Sequence, residues 1–252
     1  MEFAIGSQVA RWNGLNFQLS YAPRLEDHHP CIYRLDMEKS VVPLLTNVTP
    51  LVFTNKTVIL DPGHGGEQTG TKSILGPHFE KEYTLDWALR LQKLLVSQGW
   101  RVIMTRSNDT DVSLSNRVAM AEHSTAALFI SLHFNSAGSE QSGLETYCVT
   151  PMGLPSNLTR DYPDDSTRAV PNNAFDTTNF FLALALHRSV LKETKANDRS
   201  VRRARFMTVL RGESRPAVLI EGGYLSNRKE AALIATADYR QKLAQAVAEV
   251  LK

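Results

Sequence analysis

The stretch TVILDPGHGG, residues 57–66, begins as an apolar β-type run and breaks at Asp61-Pro62-Gly63, so that a strand delivers His64 to the loop beyond its end. A second run, ALFISLHFN at 127–135, ends in the same way on His133, and a third, AVLIEGG at 217–223, presents Glu221. Between the first two, Glu80 opens a long amphipathic segment in which Leu85, Ala88, Leu91 and Leu95 recur at helical spacing, with Gly99 as the stop. Apolar strands alternating with helices predict an α/β fold, a mostly parallel sheet flanked by helices on both faces. In such a sheet the carboxyl ends of the strands converge on one crevice, so His64 and Glu221 can share a site despite their separation in sequence.

Working outward, residues 101–105 read as the next strand, Ser113 as the cap of a helix running to about Ser124, and 144–149 as a strand after Gly143. Residues 152–178 are rich in Pro, Asn, Asp and Ser without periodicity, and a loop of that length is expected to border the active site. A helix is predicted over 179–194, strands over 206–210 and 217–221, and a terminal helix over 239–251 with Leu243, Val247 and Val250 facing inward. Residues 1–54 differ: they read as short strands, QVARW, NFQLSYAP and CIYRLD, followed by the apolar run VVPLL and a linker at 46–55. This divides the chain into a small β-rich N-terminal segment, 1–54, and a catalytic domain, 55–252. A chain starting near Thr54 is then expected to fold and to keep its activity on small substrates.

Composition narrows the function. The 252 residues carry Lys+Arg 28 against Asp+Glu 26, a net charge of +2, which supplies no electrostatic reason to invoke nucleic acid. The basic cluster Arg199, Arg202, Arg203 and Arg205 is either a solvated face or one wall of a groove for an anionic polymer. No stretch approaches the roughly 18 consecutive apolar residues of a membrane span. The N-terminus has no basic region followed by an apolar run, so either the protein is cytosolic or a secretion signal has been removed. Cys31 and Cys148 lack the close spacing of a zinc-binding pair and read as structural.

Hydrolytic zinc sites take three protein ligands from His and carboxylate and leave a position for water, whose pKa the metal lowers. His64, Glu80 and His133 satisfy that count, and Gly65 and Gly66 allow close backbone approach beside His64. The remaining histidines lack this setting: His187 falls within a predicted helix and reads as packed or surface, while His78, close to Glu80, is a candidate for supporting a ligand or facing substrate. Glu221 could be a ligand, a general base or an ion-pair partner. Its apolar approach should desolvate it and raise its carboxyl pKa, and three ligands are present elsewhere, so the base reading is preferred.

Seven segments resemble, in order, the zinc-dependent N-acetylmuramoyl-L-alanine amidases of the bacterial cell wall: VILDPGHGG (58–66), FEKEYTL (79–85), TRSNDTDVSLSNRVAMA (105–121), FISLHFNS (129–136), SGLETYCV (142–149), RFMTVLR (205–211) and VLIEGGYLSN (218–227). The resemblance covers about residues 57–251 and implies a zinc exopeptidase-like three-layer architecture. It implies one zinc per chain on His64, Glu80 and His133, Glu221 as the catalytic glutamate, and Asn135 and Arg211 near the substrate. The implied reaction is cleavage of the amide between the lactyl group of N-acetylmuramic acid and L-alanine in peptidoglycan, in wall remodelling, cell separation or lysis. That reaction would place the protein in the periplasm or at the wall outside the cell. The same constellation could serve a zinc carboxypeptidase acting on wall peptides, or persist in an inactive peptidoglycan-binding module. The chain departs from the family in having Pro77-His78-Phe79 just before Glu80, where the loop is usually small. No long insertion of the kind that forms a self-blocking helix in partner-activated amidases lies between Val149 and Asn179, so an open site is expected and an activator protein is not indicated. Residues 3–14 and 33–45 resemble the small β-rich domain at the N-terminus of copper amine oxidases, also attached to several wall enzymes; an extension packed on the amidase is the alternative.

Overall fold

The computed structural model describes residues 1–46, 51, 53, 55–159 and 164–252. In chain order, β1 (Glu2–Phe3), β2 (Val9–Trp12) and β3 (Leu15–Gln18) form an antiparallel meander, followed by the separate hairpin β4 (Arg24–Glu26) and β5 (His29–Cys31). Then come α1 (Arg34–Asp36), a π-helical turn at Met37–Val41 and α2 (Val42–Thr46). The main body follows as β6 (Thr57–Pro62), α3 (Glu80–Ser97), β7 (Arg101–Met104), α4 (Leu114–Glu122), β8 (Leu128–Asn135), β9 (Leu144–Cys148), a 3-10 turn at Pro171–Phe175, α5 (Asp176–Thr194), β10 (Asp198–Arg203), α6 (Thr208–Arg211), β11 (Ala217–Tyr224), α7 (Arg228–Ile234) and α8 (Ala237–Val250).

Nine strands make one sheet in the order β1-β2-β3-β10-β9-β11-β8-β6-β7. Pairing is parallel for β7-β6, β6-β8, β8-β11, β9-β10 and β10-β3, and antiparallel at β11-β9 and within the meander. The central strands are buried on both sides, which is why they read as continuous apolar runs. Val58, Leu60, Leu128, Ile130, Val218 and Ile220 face the larger core under α3, α5 and α8, where Trp87, Leu91, Leu186 and Leu243 are buried. Ile59, Phe129, Ala217 and Leu219 face a smaller core that contains Ala121 of α4 and Leu210 of α6. Helices therefore cover both faces, as the alternation predicts.

Several local expectations change. The segment CIYRLD is strand only at its first residue and helical from Arg34 to Asp36. Asp36 is fully buried and accepts the backbone N–H of Ser20 and of Tyr21 at 2.9 Å each, a tertiary contact that overrides local propensity. The strand predicted over 206–210 is instead a turn leading into α6, and the strand lies earlier, at β10, among the arginines. Asn227, whose side chain accepts from Lys229 N and Glu230 N, caps α7, a helix not anticipated from the sequence. The linker expected at 46–55 lies largely outside the described residues.

The meander does not stand apart from the main body. Strand β3 pairs in parallel with β10 through Phe17 and Val201, and the Phe17 ring meets Phe180 of α5 edge-on at 5.6 Å. Arg203 of β10 reaches back to the segment, donating to Ser40 Oγ at 2.6 Å and to the Lys39 carbonyl at 2.8 Å while lying 4.3 Å over the Phe180 ring.

The basic cluster is neither a solvated face nor a groove wall. Arg199 and Arg202 pair with Glu145 at 3.0 and 3.3 Å, and Arg205 is buried against Asp164 at 2.6 Å and the carbonyls of Pro151 and Leu154. Paired charges let an arginine-rich strand sit inside a sheet. Cys31 and Cys148 are both free thiols, and burial pushes the Cys148 thiol up to about 11.

Candidate active site

Strand β6 stops at Pro62, and the chain turns so that His64 takes a left-handed backbone, φ 62°. That conformation is uncommon for a residue with a Cβ, and Arg117 holds it by donating to the His64 carbonyl at 2.7 Å. Arg117 also donates to Asp61 Oδ1 at 2.5 Å and to the Pro62 carbonyl at 2.9 Å. Asp61 takes further hydrogen bonds from Thr105 Oγ1 and Ser131 Oγ at 2.6 and 2.7 Å. Burial would raise the Asp61 carboxyl, but the Arg117 charge and these hydrogen bonds outweigh it and hold the group below the usual carboxylate range. Arg106 completes the support, donating to the carbonyls of Pro62, Gly63 and Lys81 at 3.0, 2.8 and 2.8 Å. Two arginines thus pin the turn that carries His64 to the start of α3.

Replacing Arg117 by Met is expected to lower the melting temperature by about 10 °C. Breaking a buried pair from one side costs about 3–5 kcal/mol, and a chain of this size loses about 2–4 °C per kcal/mol. A calorimetric melt within about 2 °C of the parent would show that Asp61 is satisfied without the guanidinium.

Glu80 is the first residue of α3 and is buried, with its carboxylate at the positive end of the helix. Its Oε1 accepts from Phe134 N at 3.0 Å and lies 2.9 Å from His133 Nδ1; its Oε2 accepts from Thr71 N at 3.1 Å and lies 3.1 Å from His64 Nε2. Burial pushes this carboxyl up, yet the hydrogen bonds with His133 and His64 prevail and hold it far below the usual carboxylate range. One ligand atom from each of His64, Glu80 and His133 lies within 4.8 Å of the others, a group that could hold a metal ion. Glycines shape the cradle. A Cβ on Gly63 would overlap the His133 ring, and Gly70, at φ +67°, could carry one only 2.6 Å from Glu80 Oε2 and 2.7 Å from His64 Cδ2. Two imidazoles and a buried carboxylate, with small residues where side chains would intrude, fit the donor set of zinc.

Strand β11 places Glu221 opposite His133 of β8. Glu221 is 8 % exposed and lines a cavity of about 670 Å³ together with His64, Glu80 and His133. Its lining also includes the apolar side chains of Leu114, Phe206, Met207 and Val209, together with Asn135 and Ser136. The Asn135 side chain donates to Glu145 Oε2 at 2.9 Å and accepts from Ser136 N at 2.8 Å. Arg211 ends α6, half-buried, and is not among the described residues lining the cavity. Nor are described residues of the 152–178 loop: Asp164 pairs with Arg205, and Asn172 donates to the Arg215 carbonyl just before β11. His78 is exposed, 2.8 Å from Glu82 Oε2, and Glu82 accepts from Phe79 N, so this histidine stabilises the start of α3. His187 is fully buried, between Thr146 Oγ1 and Asp198.

Sequence reading missed Glu145. Its Oε1 accepts from Arg199 Nε and Tyr224 Oη at 3.0 Å each, and its Oε2 from Asn135 and Tyr147 at 2.9 and 2.8 Å. It is paired with Glu221 across β9 and β11 and so anchors the strand end that carries the candidate base. An acid in the otherwise buried strand LETYC was the available signal.

Carboxyl ends of parallel strands, a His-Glu-His group and a buried glutamate in one cavity define a hydrolytic site in an α/β fold, with provision for a metal ion. The chain belongs to the N-acetylmuramoyl-L-alanine amidase family, whose profile matches residues 58–252. It is 31% identical over 216 residues to N-acetylmuramoyl-L-alanine amidase AmiA from Escherichia coli (strain K12), covering 77% of this chain and 74% of that one. Among solved structures, the catalytic domain of CwlV, an N-acetylmuramoyl-L-alanine amidase from Bacillus (Paenibacillus) polymyxa var. colistinus, superposes with a TM-score of 0.65 at 32% identity, covering 78% of this chain and 96% of that one. The CwlD amidase from Clostridioides difficile, solved in complex with the GerS lipoprotein, gives a TM-score of 0.65 at 28% identity, with 78% and 96% covered.

Proposed function

We propose that this amidase hydrolyses the bond between the lactyl group of N-acetylmuramic acid and L-alanine in peptidoglycan, using one zinc ion held by His64, Glu80 and His133 and Glu221 as the general base. The observation that carries this reading is the convergence of those four side chains in one cavity. Zinc, when bound, supplies Lewis acidity toward the scissile carbonyl and the attacking water. Glu80, pinned by Phe134 N and Thr71 N, keeps both imidazoles aimed at one point. Glu221 takes the proton of the attacking water and returns it to the departing alanine nitrogen. Asn135 lines the same cavity and is placed to meet substrate there. Peptidoglycan lies outside the cytoplasm, so the protein acts in the periplasm or at the cell wall; no helix among the described residues is long and apolar enough to cross a membrane.

His133→Ala is expected to lower zinc content from about one ion per chain and to abolish release of soluble stem peptide from purified sacculi. Normal zinc content in this variant would overturn the ligand set. A carboxypeptidase would release single terminal residues instead of intact stem peptides, and an inert binding module would release neither, so analysis of the released material separates the three readings.

A further inference from the structure

A second, shallow groove of about 550 Å³ is lined by Lys72, Ser73, Ile74, Gly76, Ala137, Ser139 and Ser226. It neighbours the cavity at two points of the chain: Gly70 and Thr71 line the cavity and Lys72 follows them, while Ser136 lines the cavity and Ala137 follows it. The groove is built from three segments tied together: Ile74 N donates to the Leu225 carbonyl at 3.0 Å, Ala137 N to Ser226 Oγ at 3.0 Å and Asn227 Nδ2 to the Ser139 carbonyl at 2.8 Å. Lys72 is its one charged lining residue among those described, is exposed, and has no ion pair or hydrogen bond on its ammonium group among the described residues. Consecutive Cα atoms lie about 3.8 Å apart, so Lys72 is one step from Thr71, whose N–H touches Glu80 Oε2 at 3.1 Å.

Cleft and substrate are asymmetric in matching ways. The cavity has an apolar lining in Leu114, Phe206, Met207 and Val209, whereas the groove is hydroxyl-rich and carries a cation. On one side of the scissile amide the substrate has an uncharged sugar with methyl-bearing lactyl and acetyl groups. On the other it has a peptide, which carries a free carboxylate beside the scissile end wherever its second residue is a glutamate joined through its side chain and left unamidated. Resting on the amidase reading, we propose that the groove is the stem-peptide subsite and that the Lys72 ammonium receives the free carboxylate of the second peptide residue. The sugar then lies toward Leu114, Phe206 and Met207, and the direction of the substrate across the zinc ligands is set.

The test uses two soluble muropeptides that differ only in whether the second residue bears a free carboxylate or a carboxamide, cleaved by the zinc-loaded full chain. The parent should prefer the carboxylate form by about fivefold in kcat/KM, the scale of a solvent-accessible ion pair, and the preference should shrink with added salt. Lys72→Gln should remove the preference and Lys72→Glu should invert it. A parent without preference, or a preference that survives in both variants, overturns the assignment while leaving the amidase reading intact. A parent that cleaves neither muropeptide overturns the amidase reading and this assignment with it.

Discussion

Deleting residues 1–46 is expected to leave a chain that aggregates, or melts about 10 °C or more below the parent. Leu15, Phe17, Leu19, Val41 and Leu44 are buried in the same apolar cluster as Leu144, Phe180 and Val201. Each such side chain contributes about 1.5–3 kcal/mol, against a net stability of about 5–15 kcal/mol for a whole protein. With half of that returned as chain entropy, about 4 kcal/mol is still lost, and at about 2–4 °C per kcal/mol this is the shift expected. The truncation also strips β3 from β10, leaving an open strand edge beside the uncovered Phe180 ring, a template for pairing between chains. Soluble yield and thermal melts decide the matter. A truncated chain with the melting temperature and muropeptide activity of the parent would show the segment to be an appendage, as its composition suggests.

That contrast shows where sequence is informative. Strands β6, β8 and β11 are legible because burial on both faces leaves no polar alternation, and α3 because its apolar residues repeat at helical spacing. His64 stands out as the ionisable group just past the end of β6, and His133 and Glu221 as the ionisable groups within the otherwise uncharged strands β8 and β11. Strand β10 is illegible for the opposite reason. Its sequence, DRSVRR, is charged, and it is stabilised by partners far away in the chain: Glu145 for Arg202, and Ser40 with the Lys39 carbonyl for Arg203. The supports of the site share this property. Asp61 and Arg117 lie 56 positions apart and look like a strand-end acid and a surface helix arginine until the fold buries them together. Local pattern reports burial; it does not report which buried charges meet.

Glu221→Gln is expected to lower turnover by at least about 10²-fold while zinc content stays at that of the parent. Gln keeps the length of the side chain and its hydrogen-bonding reach but cannot accept a proton at neutral pH, and general acid/base catalysis is worth about 10²–10⁴-fold. Buried on β11 between Ile220 and the glycines Gly222 and Gly223, the residue is held by its strand pairing with His133 and with Glu145, so the amide should occupy the same place. The His-Glu-His group is complete without it, which is why metal content separates the roles. Turnover on a soluble muropeptide, KM and zinc stoichiometry are measured together: the first should fall, the other two should stay close to the parent. Loss of zinc in this variant would put Glu221 among the ligands and displace one of the three assigned here. Turnover close to the parent's would mean that another group takes the water proton. Because Glu145 sits directly across the strand pair, with both its oxygens already engaged by Arg199, Tyr224, Asn135 and Tyr147, it is poorly placed to substitute, and the defect should not be rescued at higher pH.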